Sequence, residues 1–160
     1  MFKIGDHIAH PMHGAGVIEN IITKKINGAQ RDYYVLKLPV GDMVVMVPVS
    51  GCEDIGVRSI ISKAEAENVM EQFGKLDVSM TQNWNKRYRE NMDKIKSGNL
   101  LDVAAVVKGL MHRENERGLS TGERKMLHSA KQILISELVV ATELDYDCVE
   151  RRLCASLNEE

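Results

Sequence analysis

Ser62-Lys63-Ala64-Glu65 divides this chain into two kinds of sequence. A hydroxyl followed three positions later by a carboxylate is a capping box. The serine oxygen accepts from the backbone N–H of the glutamate, and the carboxylate reaches back to the N–H of the serine. A helix therefore begins here. Upstream, apolar residues alternate or cluster in short β-branched runs, as in Gly16-Val17-Ile18-Glu19-Asn20-Ile21-Ile22 and Tyr33-Tyr34-Val35-Leu36-Lys37-Leu38, which is the pattern of strands. Asn27-Gly28 lies between the second and third runs, and both positions tolerate positive φ, so a tight hairpin is predicted there. Pro39 with Gly41-Asp42 makes the next turn, leading into Met43-Val44-Val45-Met46-Val47-Pro48. Four or five short strands in so few residues predict a small twisted barrel of the Tudor or SH3 type over 1–60.

Downstream of Ser62 the apolar period becomes helical. Helices are predicted over 63–73, 84–96, 100–117, 121–142 and 145–157. Ser120-x-x-Glu123 repeats the capping box, Asn99 with Asp102 is a weaker version, Ser97-Gly98-Asn99 is a tight break, and Gly118 is a C-cap. The expected fold class is thus two-domain β + α: the barrel, then a compact all-helical domain over 61–160.

Composition narrows the function. With 44% hydrophobic and 28% charged residues among 160, the chain has the make-up of a soluble globular protein. A formal net charge of −2 excludes a wholesale polycation, so any contact with nucleic acid must come from a patch. The C-terminal end is acidic: between 137 and 160 stand Glu137, Glu143, Asp145, Asp147, Glu150, Glu159 and Glu160, against Arg151 and Arg152. That end is expected to face away from phosphate. Cys52, Cys148 and Cys154 are odd in number and lack C-x-x-C spacing, which argues against a disulfide framework and a zinc site. Met1-Phe2-Lys3-Ile4-Gly5-Asp6 has no apolar h-region, and no stretch has the length needed to cross a bilayer. A cytoplasmic monomer without membrane contact is expected.

No catalytic constellation emerges, and neither a cofactor nor an enzymatic activity is expected. His10-Pro11-Met12-His13 offers two imidazoles without a third ligand nearby. Cys52 follows Ser50-Gly51 with no helix start or basic partner to activate it. Neither the P-loop nor the dinucleotide-binding glycine pattern occurs.

Trp84, the one tryptophan, is different. It stands in Asn83-Trp84-Asn85-Lys86-Arg87-Tyr88-Arg89, and from Trp84 to Ser97 five cations face two acids, a net +3. A lone tryptophan is most often a core anchor whose N–H finds a partner. An apolar ring among cations also suits a wedge against a base step, with lysine and arginine on the flanking phosphates. Two functions follow: a nucleic-acid-binding regulator in which the ring meets DNA, or a protein-interaction adaptor in which it is core. A small metal-dependent enzyme built on His10 and His13 is a remote third.

These residues carry a resemblance along essentially the whole chain. His10-Pro11-Met12-His13-Gly14-Ala15-Gly16-Val17, Val47-Pro48-Val49, Gly56-Val57-Arg58, Asn83-Trp84-x-Lys86-Arg87-Tyr88, Ser97-Gly98-Asn99 and Glu114-x-Glu116-Arg117-Gly118-Leu119-Ser120-x-Gly122-Glu123, in this order, resemble the CarD/CdnL family of bacterial transcription regulators. The first half is also similar to the polymerase-interacting module of transcription-repair coupling factors. The resemblance implies a Tudor-like domain that pairs with the β subunit of RNA polymerase and a helical domain on promoter DNA, with the protein held near the nucleoid through polymerase. It implies that Trp84 wedges into the minor groove at the upstream edge of the bubble and stabilises the open complex. Lys86, Arg87 and Arg89 match positions near the DNA backbone, and Arg124 with Lys125 adds a second phosphate contact, giving affinity without sequence choice. On the polymerase side, Lys24 matches a cation that meets an acid of the β subunit. Met46 stands where some relatives carry arginine, so one charge pair is missing and apolar contact takes its place.

Overall fold

The protein is described by a computed structural model covering residues 1–157. Glu159 and Glu160 of the acidic end lie outside the described residues. Five strands come first: β1 (His7–His10), β2 (Gly14–Ile26), β3 (Ala29–Leu38), β4 (Met43–Pro48) and β5 (Arg58–Ser59). They form one antiparallel sheet in the order β4-β3-β2-β1-β5, so β4 and β5 are its two ends. The long β2–β3 hairpin turns at Asn27-Gly28, both with positive φ as the turn requires. A bulge between Ile18 and Asn20 bends β2. One face of the sheet encloses Ile8, Ile18, Tyr34, Leu36, Leu38 and Val47, all essentially inaccessible to water.

The helices are α1 (Lys63–Gln72), α2 (Trp84–Lys96), α3 (Leu100–Arg117), α4 (Thr121–Thr142) and α5 (Tyr146–Leu157), with a 3-10 turn at Phe73–Lys75. Ser62 and Glu65 form the full capping box, whereas at the start of α4 only half of it forms: the Ser120 side chain accepts from Glu123 N, but the Glu123 carboxylate is drawn away to Arg87. The first helix stops at Gln72, one residue short of the expected end. There the chain tightens so that Gly74 can pass against Ser156, where any Cβ would collide with the Ser156 carbonyl. The last helix starts at Tyr146 because Asp145 caps it from outside, accepting from Cys148 N at 2.7 Å. A second core, built on Phe73, Val106, Leu110, Leu134 and Leu138 among others, lies between these helices.

Sheet and helices are joined by polar groups at the base of α4. The buried Glu137 carboxylate takes Arg58 in a fork, Nη1 to Oε2 at 2.7 Å and Nη2 to Oε1 at 2.8 Å, and also accepts from Ile61 N at 2.9 Å. Arg58 Nε donates to the Gly98 carbonyl at 2.8 Å, reaching the C-terminal end of α2. Beside this clasp, Ala15 N donates to Ser136 Oγ at 2.9 Å. Gly14, with φ +98°, lies so close that a Cβ would run into the same hydroxyl. Gly14-Ala15-Gly16 therefore does more than open β2, for it is where the sheet sits on α4.

Candidate nucleic-acid interface

Trp84 is the first residue of α2, fixed in direction by its N-cap: Asn83 Oδ1 accepts from Lys86 N at 3.0 Å. The residue is 42% exposed, neither core nor free. One face stacks on Tyr88, one turn along, with centroids 5.2 Å apart and planes 19° from parallel. The indole Nε1 donates to Ser120 Oγ at 3.1 Å, and the same oxygen accepts from Glu123 N at 3.2 Å. The hydroxyl that caps α4 thus also anchors the indole. Two helix N-termini meet at the ring, and their partial positive charge favours an anion nearby.

The structure corrects the expected role of Arg87. Its side chain is 2% exposed, and its guanidinium is used inside the protein. Nε donates to Glu123 Oε2 at 2.9 Å, Nη2 to Glu123 Oε1 at 3.1 Å, and Nη1 to the Thr81 and Gln82 carbonyls at 3.2 and 3.1 Å. Hydrogen bonding from Arg87 holds the Glu123 carboxyl below its ordinary range. No phosphate can reach such a group, and its work is to pin α2 to α4 beneath Trp84. Arg87, Asn91 and Ile95 recur at i, i+4 and i+8 and are all buried, a helical row visible in the sequence that counting charges does not resolve. The part played by Ser120 had no such signal, because it depends on how two distant helices meet.

The other four cations are on the surface. Lys86 and Arg89 of α2 and Lys125 of α4 are exposed and form no ion pair among the described residues. Arg124 is exposed and meets Glu114 only at 3.9 Å. Arg124 and Lys125 lie near the start of α4, just past the Ser120 and Gly122 that support the indole, whereas Lys86 and Arg89, two and five residues beyond Trp84, stand round α2 from the ring.

On the sheet, Lys24 faces outward near the hairpin tip, opposite Arg31, and Met46 stands on β4 opposite Val35. Alternation puts the two on one face but does not bring them together. Arg31 is four residues along β3 from Val35, about 13 Å. Met43, Val44 and Met46 are 49%, 59% and 37% exposed on β4, a terminal strand with unpaired backbone on one side.

His10 and His13 have ring centroids 4.6 Å apart, and His10 Nδ1 accepts from Met12 N at 3.1 Å. Among the described residues no three side chains gather as a metal site. Burial, and then the neighbouring His13, lower the His10 pKa from 6.5 to about 4. The unfolded chain therefore takes up this proton first, and stability falls as pH drops from 6.5 towards 4. His10→Gln is expected to flatten the melting temperature across that window. The effect is on the order of 1 kcal/mol, since the ring is only half-buried. An unchanged pH profile would mean that other groups govern acid stability.

Comparison with known proteins agrees with this architecture. Residues 2–61 match the family "CarD-like/TRCF RID domain", and residues 68–154 match "CarD, C-terminal domain". A Bacillus subtilis (strain 168) protein, "Putative transcription factor YdeB", is 39% identical over 140 residues, spanning 88% of this chain and 92% of that protein. A five-stranded domain of the first kind runs directly into a helical domain of the second, and the chain belongs to the CarD family of transcription regulators.

Proposed function

We propose that this regulator bridges RNA polymerase and promoter DNA, seating the outer edge of its sheet on the β subunit and holding Trp84 against the minor groove at the upstream edge of the melted region. The observation that carries this is the fixed, part-exposed Trp84 at the meeting of two helix starts that also carry the exposed cations Lys86, Arg89, Arg124 and Lys125. One face is spent on Tyr88 and the N–H on Ser120. What remains is an apolar face and edge with no donor to offer a base, which suits a wedge and not sequence readout. Four surface cations give a modest, non-specific attraction, so duplex affinity is expected to be weak and to fall with a log–log salt slope of about −2 to −4. The adaptor reading draws on the same Ser120 hydrogen bond, taken as an anchor. The two part on one measurement: added to polymerase–promoter complexes, the chain should lengthen the competitor-resistant lifetime, and no lengthening supports the adaptor.

For the polymerase side, the terminal strand β4 is the proposed contact, because it can extend a partner's sheet while Val44 and Met46 supply apolar area. Lys24 adds a charge farther along the same face. Met46→Glu should weaken capture of a β-subunit fragment roughly tenfold while leaving the melt unchanged, the residue being at the surface. Undiminished capture would move the contact elsewhere.

A further inference from the structure

A hollow of about 180 Å³ opens beside the Trp84–Tyr88 stack, where the turn between β1 and β2 leans over the junction of α2 and α4. Its walls include Met12, Tyr88, Met92 and Ile133, and its polar groups include Lys125 and Ser129. Tyr88 belongs to both features: it backs the indole and lines the hollow, so one apolar track runs from the exposed ring into the depression. The charge at its rim is mainly cationic. The row of α2 next to Tyr88 and Met92 carries Asn85, Arg89 and Lys96, all exposed, and Lys125 stands on the α4 side. Glu90 lies farther round α2, and Asp93, one turn beyond Arg89, offsets part of this charge. A flat apolar ring inside with anionic groups at the cationic rim is the shape and charge of a nucleotide. Thioethers such as Met12 and Met92 adapt to either face of such a ring.

We propose that this hollow receives one unpaired nucleobase from the single strand that adjoins the duplex edge, with the flanking phosphates on Arg89 and Lys125. This rests on the reading that DNA meets Trp84. A protein shifts an equilibrium only by binding one state better than the other. A wedge that touches closed and open duplex alike stabilises neither, whereas a base still paired and stacked cannot enter the hollow. The hollow thereby supplies the preference for opened DNA. Bases bound by stacking in this way are taken with little choice among them.

The test uses the full-length chain with three labelled DNAs: a duplex, the single strand, and a fork carrying 2-aminopurine at its first unpaired position. The wild type should bind the fork roughly tenfold more tightly than the duplex and change the probe's fluorescence. Ser129→Phe, which fills the hollow without touching Trp84, should bring fork affinity down to the duplex value. Met12→Ala removes an exposed wall of the hollow and tolerates the change, so it decides the matter should Ser129→Phe melt early. It should diminish the probe's response. Fork binding and probe response unchanged in Met12→Ala and in folded Ser129→Phe overturn the hollow as a base site. So does a Ser129→Phe variant that loses the β-subunit fragment but keeps the fork, which points to a polymerase side chain as the occupant. If Trp84→Ala binds the fork as the wild type does, the underlying reading itself fails.

Discussion

Open complexes formed with Trp84→Ala are expected to decay about tenfold faster than with the wild type, the value of one lost ring–base contact, while the protein melts within a few degrees of normal. The two measurements separate the roles of the ring. A fully buried tryptophan replaced by alanine costs about 3–5 kcal/mol. Trp84 keeps 42% of its surface in water and packs on Tyr88 and Ser120 at the edge of the domain, so its loss should cost about 1–2 kcal/mol. Trp84→Phe refines the comparison, since it keeps a ring but gives up the hydrogen bond to Ser120. An intermediate lifetime is expected, because a ring no longer held by Ser120 is less well placed. Should the melt collapse in Trp84→Ala, and decay merely follow the loss of folded protein, the residue is an anchor.

The second large effect is one of stability. Arg87→Ala leaves the Glu123 carboxylate buried without its partner and takes the donor from the Thr81 and Gln82 carbonyls. Breaking such a pair costs about 3–5 kcal/mol, enough to unfold much of a protein of ordinary stability. Replacing both partners, as in Arg87→Met with Glu123→Leu, should be far milder, because no charge is stranded. Chemical denaturation of the two variants checks this, and equal losses would argue against the stranded carboxylate as the cause. Acid should mimic the single mutant. The Glu123 carboxyl is held low by Arg87, so its contribution is complete above the ordinary carboxylate range and disappears as pH falls through the depressed value. That loss lies at lower pH than the one set by His10, whose contribution has gone by about pH 4.

Local chemistry made most of the architecture legible in the sequence. Asn27-Gly28, Ser62, Ser120, Ser97-Gly98-Asn99 and Gly118 each fix a turn or helix end through their own side chain or φ, and elements began and ended there to within a residue. The site was legible only in part. Trp84 and the surface cations stand out by composition, but so does Arg87, because summed charge ignores which row of a helix a residue occupies. The clasp was not legible at all. Arg58 and Glu137 are 79 positions apart, and Ala15 and Ser136 are 121 apart, so nothing within a window of sequence connects them.

That clasp carries a consequence for where the protein acts. Arg58 ties the last strand to α4 through Glu137 and to the far end of α2 through Gly98, and Trp84 begins that same α2. Sheet and indole are therefore tied to each other through buried hydrogen bonds, like the two jaws of a caliper. If the sheet edge is seated on polymerase as proposed, the indole would meet DNA at a set span from the enzyme, whatever bases happen to be there. The protein would then locate its target by measuring and not by spelling, and a base pair inserted upstream of the melted region would slide past the ring without carrying it along.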